Sequence, residues 1–258
     1  MVEDKLSPAA ITSNLETSFV GQRVIYYPRL TSTMEIARQE AKRGAAEGTT
    51  VVADKQTAGR GRMKRIWISP QGSIALSVVL YPEIVYLPFL VMLASLAVVH
   101  SIEAVTGLVP QVKWPNDVLI NGKKVCGILI ESEVRGKHVD YVIMGIGMNI
   151  NLRLADFPEI QPIATSLSDE LGREVSRLEV IRWLLKEIER LYQSLPDGES
   201  IYQEWRGRLV TIGKRVSAQW GATRYEGIAE SVARDGSLLL RLSDGSLTRV
   251  VAGDVVMR

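Results

Sequence analysis

The sequence predicts an α+β protein, with a long central region that mixes strands and helices and a compact all-β module at the C-terminal end. Three observations carry this. Segments with helical apolar spacing alternate with apolar runs of strand length as far as about Leu195. Helical periodicity stops after Arg208. Asn121-Gly122, Asp235-Gly236 and Asp244-Gly245 each mark a hairpin turn, because the tightest hairpins need residues that accept positive φ.

Taken in order, Arg23–Tyr27 reads as a strand. A helix follows from about Thr33 to Arg43, its start marked by Ser32 and Glu35 at capping-box spacing. Thr50–Asp54 is a second strand, and Ser73–Leu80, apolar and small throughout, is a third that is half or fully buried. Leu87–Val105 has nearly the length of a membrane span. Pro88, Ser95, His100, Ser101 and Glu103 interrupt it, so a buried helix covering the sheet is expected and no membrane association. Val112–Trp114 and Val118–Ile120 flank Pro115, which places Asn116 and Asp117 at a bend. Lys124–Glu133 and Val139–Ile146 complete the central strands. Ser176 and Glu179 repeat the capping-box spacing ahead of Leu178, Ile181, Leu184, Leu185, Ile188 and Leu191, a packing helix that runs to about Leu195. Pro196-Asp197-Gly198 breaks it, a shorter helix spans Tyr202–Arg208, and five short strands run from Arg215 onward as a small barrel.

Composition narrows the function. A net charge of only +2 does not suit a dedicated nucleic-acid binder, which concentrates lysine and arginine on one face. The lone Cys126 excludes an intramolecular disulfide and reads as a small buried hydrophobe. With only His100 and His138 besides, no zinc set is formed, so any metal is expected to be held by oxygen. Residues 1–16 lack the basic start and apolar core of a signal peptide, and a cytoplasmic location is expected.

The chemistry concentrates in one polar stretch, Gly59-Arg60-Gly61-Arg62-Met63-Lys64-Arg65-Ile66-Trp67. Glycine lets a backbone N–H approach a ligand closely, and arginine offers a planar fork of donors matched to phosphate or carboxylate oxygens. Read alone, the loop suits an anion or is a solvated basic loop. Downstream lie Lys113-Trp114-Pro115-Asn116-Asp117, then Lys124-Val125-Cys126-Gly127-Ile128-Leu129-Ile130-Glu131, then Ile143-Met144-Gly145-Ile146-Gly147-Met148-Asn149-Ile150-Asn151. In order and spacing these four segments resemble the motifs of the biotin protein ligases, from about Arg23 to the C-terminus.

That resemblance implies a class II aminoacyl-tRNA synthetase-like catalytic domain with a mixed sheet over residues 23–209, an SH3-like barrel over 210–258, and an N-terminal extension over 1–22. It implies that ATP activates the carboxylate of biotin, with Mg²⁺ present and neither zinc nor flavin involved, and that biotin passes to a lysine of a biotin carboxyl carrier domain of a biotin-dependent carboxylase. Lys124 would bridge carboxylate and α-phosphate, with Arg60 and Arg62 closing over the mixed anhydride and Lys113 adding positive potential. Ser32, Thr33, Met34, Gln56 and the backbone from Arg60 through Gly61 to Arg62 would hold biotin. Arg65, Trp67, Asn116 and Asn149 would join the adenylate site, and Asp117 would bind Mg²⁺. Two readings stand for Trp67, a platform for adenine or an anchor of the loop to the core. Ser32 likewise has a competing role as helix cap.

Two departures from the family pattern stand out: Lys64 occupies a position that is usually glycine, and Met34 one that is commonly asparagine. Some relatives carry an N-terminal DNA-binding domain. The segment before Arg23 is too short for its three helices, so no DNA binding is expected. A lipoate or octanoate ligase-like relative is the alternative enzyme, but would not be expected to carry this arginine loop. A nucleic-acid-binding module, using the Gly-Arg loop for phosphates, is the alternative from another class and predicts steep salt dependence without ATP. Exposed sheet edges are compatible with a homodimer.

Overall fold

The computed structural model describes residues 5–220, 223–251 and 253–257. Residues 1–4, 221–222, 252 and 258, which belong to the expected N-terminal extension and C-terminal module, lie outside the described residues. The chain runs α1 (Pro8–Thr12), β1 (Val24–Tyr27), α2 (Thr33–Lys42), β2 (Thr50–Ala53), β3 (Ile74–Leu80), α3 (Leu90–Thr106), β4 (Gln111–Lys113), β5 (Asp117–Ile120), β6 (Lys123–Arg135) and β7 (His138–Met148). It continues with α4 (Leu167–Leu171), α5 (Arg177–Gln193), α6 (Gly198–Gly207), β8 (Arg215–Trp220), β9 (Thr223–Val232), β10 (Leu238–Leu242), β11 (Leu247–Val250) and β12 (Asp254–Met257). Seven strands form one mixed sheet in the order β1-β2-β3-β7-β6-β5-β4, in which β1 and β2 are parallel and the remaining neighbours antiparallel. The last five form an antiparallel sheet ordered β11-β10-β9-β8-β12.

The central strands are buried on both faces, and their side chains alternate between two apolar layers as a period of two requires. Val52, Val78, Val142 and Met144 join the main core with α3 and α5. Val51, Val79, Tyr141 and Ile143 face the other way and pack with Met34, Ala37 and Ala41 of α2. Helix α3 is apolar almost all round, and eleven of its residues are buried. Together with the preceding 3-10 turn (Ile84–Phe89) it is long and apolar enough to cross a membrane. In the fold it lies against α5 and the sheet, its apolar surface taken up by the protein. A residue in the left-handed region stops it at Gly107.

Of the two expected capping boxes, the one at Ser176 forms its N-cap bond, the Ser176 side chain accepting from the Glu179 amide at 3.2 Å. The one at Ser32 does not. Ser32 sits at the N-cap position of α2 without capping it, and the amide of Thr33 donates to Gln56 Oε1 at 2.8 Å. Glu35 accepts from the Thr31 hydroxyl at 3.1 Å rather than reaching back to the cap. Asn121 and Gly122 both adopt positive φ, 50° and 79°, as the β5–β6 hairpin requires.

The segment after α6 returns beside the edge strand of the mixed sheet, with Val112 N–H donating to Arg208 O and Val210 N–H to Val112 O. Trp114, nearly fully buried, donates from its backbone N–H to Thr211 Oγ1 at 2.9 Å and from Nε1 to the Gly236 carbonyl at 2.7 Å. The turn after β4 is therefore pinned to the C-terminal module.

Away from the sheet, His100 on α3 is clasped between Glu187 of α5 (2.7 Å) and Glu204 of α6 (2.6 Å). The Glu187 carboxylate, outweighing the opposing effect of burial and aided by Glu204, raises His100 above its ordinary pKa. Burial alone would lift Glu187, but hydrogen bonds from His100 and Arg190 bring it down to about 2. For a raised histidine the stabilisation is complete below about pH 6.5 and fades as pH climbs through the folded-state value. His100→Gln is accordingly expected to lose about 1–2 kcal/mol at pH 6 and less at pH 9. Denaturant midpoints at the two pH values check this, and an equal loss at both would remove the charged clasp from the account.

Candidate active site

The α2 face of the mixed sheet changes character along its strands. At one end it carries Val79, Ile143 and Tyr141, which pack under α2. At the other, paired positions place Ala75 beside Gly147, Gly147 beside Gly127, and Gly127 beside Asp117. Side chains on that row are absent or short, so the sheet has a recessed floor with one carboxylate at its edge. A Cβ on Gly147 would lie 2.3 Å from Trp67 Nε1, and one on Gly145 2.3 Å from Met34 Sδ. The glycines thus make room for the two large side chains that shape the cavity.

Over this floor runs the arginine loop. Both its roots are tied by one buried guanidinium, because Arg177 donates to Asp54 Oδ1 at 2.8 Å and to the Ser73 carbonyl at 3.3 Å. Inside the loop Gly61 N–H donates to Arg65 O and Trp67 N–H to Gly59 O, closing it on itself. Gly59 has no space for a Cβ, which would come 2.3 Å from the Trp67 carbonyl oxygen. Met63 and Lys64 both have positive φ, 52° and 61°. A side chain there costs about 1–2 kcal/mol relative to glycine, so Lys64 holds a conformation that glycine would reach with less strain.

The resulting cleft, about 240 Å³, brings together most of the residues singled out in the sequence: Ser32, Thr33, Met34, Gln56, Arg60, Gly61, Arg62, Arg65, Trp67, Lys113, Asn116, Asp117 and Lys124 all line it. Among the described residues five cationic side chains and a single carboxylate, that of Asp117, line it. Lys124 Nζ lies 2.6 Å from Asp117 Oδ1 and 5.3 Å from the centre of the Trp67 ring. Arg62 donates to Asn116 Oδ1 at 3.0 Å, while Asn116 Nδ2 donates to the Ile128 carbonyl at 2.6 Å, so the amide is occupied at both ends. Arg60 pairs with Glu131 at 2.7 Å, and Glu131 also pairs with Arg38 of α2.

At the opposite end, Gln56 Oε1 accepts from Thr33, whose hydroxyl accepts from Ser77 Oγ at 2.8 Å. Ser32 Oγ and Trp67 Nε1 are buried without a hydrogen-bond partner among the described residues. A buried polar atom left unpaired costs about 1–3 kcal/mol, and the Ser32 hydroxyl lies in the cleft wall. For a divalent cation the cleft offers one carboxylate. Among the described residues no group of three or more His, Cys, Asp and Glu could hold a metal. Asp117 alone suits a magnesium ion that takes most of its oxygens from a phosphate substrate and water, and no protein-only metal cage is built.

Asn149, expected at the nucleotide, is not in the cleft. It is buried, and its Nδ2 donates to the Thr165 carbonyl at 3.0 Å, tying the end of β7 to the segment before α4. Cys126 is fully buried, and burial pushes its thiol well above the ordinary range. Three contributors were missed from sequence. The Gly127–Gly145–Gly147 floor had a signal in the alternate glycines of β7. Glu131 lay within a quoted segment but has no local mark of its pairing. Val255 and Val256 of β12, which also line the cleft, have none at all.

Residues 26–149 match the model of the Biotin/lipoate A/B protein ligase family, and residues 211–258 that of the Biotin protein ligase C terminal domain. The chain is 41% identical over 257 residues to the bifunctional ligase/repressor BirA of Bacillus spizizenii, covering 97% of this chain and 79% of that protein. It is 31% identical over 270 residues to the biotin–[acetyl-CoA-carboxylase] ligase of Mycobacterium tuberculosis, covering 98% and 97%. The solved structure of biotin protein ligase from Aquifex aeolicus in complex with biotin and ATP superposes with a TM-score of 0.79 at 29% identity, covering 92% of this chain and 99% of that one.

Proposed function

The chain belongs to the biotin protein ligases of the biotin/lipoate A/B protein ligase family, and from that premise we propose how its residues activate biotin with ATP and pass it to a lysine of a biotin carboxyl carrier domain. The first step joins two anions, the carboxylate of biotin and the α-phosphate of ATP, and spreads extra negative charge over the phosphate oxygens in the transition state. Preorganised cations lower that barrier most, because they need not reorganise as charge develops. The observation that carries the proposal is the Lys124 ammonium, held by Asp117 over a glycine floor, in a cleft whose other charged lining residues are Arg60, Arg62, Arg65 and Lys113.

In this reading the cleft has two ends. Ser32 Oγ, Thr33 and Gln56 form the polar end for the ureido group, and Met34, Leu129 and Gly145 supply apolar wall for the ring and chain. The unpaired Ser32 hydroxyl supports this assignment. Lys124, oriented by Asp117, sits where carboxylate and α-phosphate meet. Arg62 and Arg60 close over the product anhydride, Arg65 and Lys113 add positive potential, and Asn116 serves by holding Arg62 rather than by touching the nucleotide. Trp67 packs flat space left by Gly127 and Gly147, which favours the anchor role, and its exposed part remains the candidate surface for adenine. Magnesium, when bound, neutralises phosphate charge, and Asp117 would be its protein ligand. Residues 23–209 carry these groups and 210–258 contribute Val255 and Val256 to the wall.

Incubation with biotin, ATP and a biotin carboxyl carrier domain is expected to add one biotinyl group at one lysine, read by mass. No addition would overturn the proposal. Arg62→Gly removes both the guanidinium and its tie to Asn116. It is expected to release biotinyl-5′-AMP about tenfold faster, the loss of roughly one charge-assisted hydrogen bond, and to spread label over bystander lysines. Unchanged release would take Arg62 out of the closing role.

A further inference from the structure

Glu131 projects from β6 on the same face as the glycine floor, two register positions beyond Leu129, and no catalytic step above uses it. Its two carboxylate oxygens are divided. Oε1 accepts from Arg60 of the loop at 2.7 Å, and Oε2 takes Arg38 of α2. One side chain therefore joins three elements, the strand that carries Lys124, the helix whose start carries Ser32 and Thr33, and the loop that lies over both. A second cavity lies between the underside of the loop and β6, lined by residues 57–66 with Leu129 and Glu131. Little apolar packing supports the loop there: Met63 and Ile66 are 54% and 83% exposed. The ionic contact to Glu131 spans that gap where side-chain packing does not.

We propose that Glu131 is a positioning residue for the arginine loop, holding Arg60 over the cleft and thereby setting how long the activated acyl-adenylate is retained. Arg38 completes the arrangement by fixing the carboxylate, so that Glu131 presents one oxygen to the loop in a single orientation. The proposal rests on the ligase reading above and adds to it a residue that is not among those lining the cleft.

The direction of the effect separates positioning from simple electrostatics. Glu131→Gln keeps the size of the side chain and removes one negative charge beside a cationic cleft. If the carboxylate acted only through its field, its removal would make the cleft more positive and would slow the loss of an anionic intermediate. If it acts by holding Arg60, the intermediate leaves faster although the field has become more favourable.

The experiment forms biotinyl-5′-AMP on the full-length enzyme from biotin and ATP, removes free nucleotide, and follows release of the intermediate, with the KM for ATP and the thermal midpoint measured beside it. Glu131→Gln is expected to release about fivefold faster, a size suited to one partly exposed charge-assisted contact, with KM for ATP unchanged or lower and the melting midpoint preserved. Arg38→Gln leaves the Arg60 contact in place and is expected to give a smaller acceleration in the same direction. Glu131→Asp, with its carboxylate withdrawn by one methylene, is expected to fall between Gln and wild type. Release by Glu131→Gln at the wild-type rate or slower would overturn the positioning role. Should the wild-type chain form no biotinyl-5′-AMP at all, the ligase reading itself would fail, so the two failures are distinguishable.

Discussion

Lys124→Ala is expected to reduce biotin-dependent adenylate formation at least about 1,000-fold while the protein stays folded. The size follows from the task. Two anions have to approach to bonding distance, and in a cleft partly shielded from water each unit charge counts for more than it does in solvent. Lys124 is the cation best placed to meet both, since it rises from the start of β6 beside the glycine floor, 2.6 Å from Asp117. The fold should tolerate the change. The side chain is 30% exposed, its partner is also within reach of solvent, and the backbone of residue 124, which donates to Ile163 O and accepts from Thr165 N–H, keeps both bonds with alanine. Circular dichroism and a melting curve would separate loss of chemistry from loss of fold. Turnover within tenfold of wild type would assign the bridging role to another residue.

Gly147→Ala carries the second large effect. Its Cβ would lie 2.3 Å from Trp67 Nε1 and 2.5 Å from Cε2, distances at which a ring must move. Trp67 cannot move deeper, because Gly127 beside it already holds both the far edge of the same ring and the Lys124 ammonium at 3.1 Å from where its own Cβ would be. The ring is pushed up into the cleft and carries with it the end of the arginine loop, whose backbone it shares. A displacement of about 1 Å at reacting groups can cost about 100-fold in rate, and that is the loss expected in adenylate formation, with about 1–3 kcal/mol of stability from overpacking. Gly207→Ala is the control: nothing lies within 4 Å of its Cβ, and its backbone φ is not in the left-handed region. That variant should keep full activity. Equal activity of Gly147→Ala and wild type would show that Trp67 is free to relocate and that the floor does not set the geometry of the cleft.

Much of this arrangement is legible before any coordinates are seen, and the reasons are physical. Strands and helices declare themselves through periods of two and 3.6, so the central elements, the Asn121-Gly122 hairpin and the buried α3 match expectation to within a few residues. The arginine loop is legible because its composition is costly without an anion, and the residues expected around it do line one cleft. What is not legible depends on register between distant strands. Nothing local says that Gly127 and Gly147 are paired, or that Glu131 meets Arg60 across a separation of 71 residues. Ser32 shows the limit of a local rule. Its spacing to Glu35 is that of a capping box, yet Gln56, brought in by the turn after β2, takes the cap position and leaves the hydroxyl for the cleft. Asn149 shows the same limit in reverse: a polar residue at the end of a motif strand has its amide taken by the nearby Thr165 carbonyl and is not among the residues lining the cleft.

The central claim, that this cleft joins the carboxylate of biotin to AMP, is tested most directly by exchange of labelled pyrophosphate into ATP, run with biotin, lipoate and octanoate as alternative acids. Exchange that requires biotin, is not supported by the other two acids and is lost in Lys124→Ala is the predicted result. Exchange supported equally by lipoate or octanoate, or no exchange with any of the three, would contradict it.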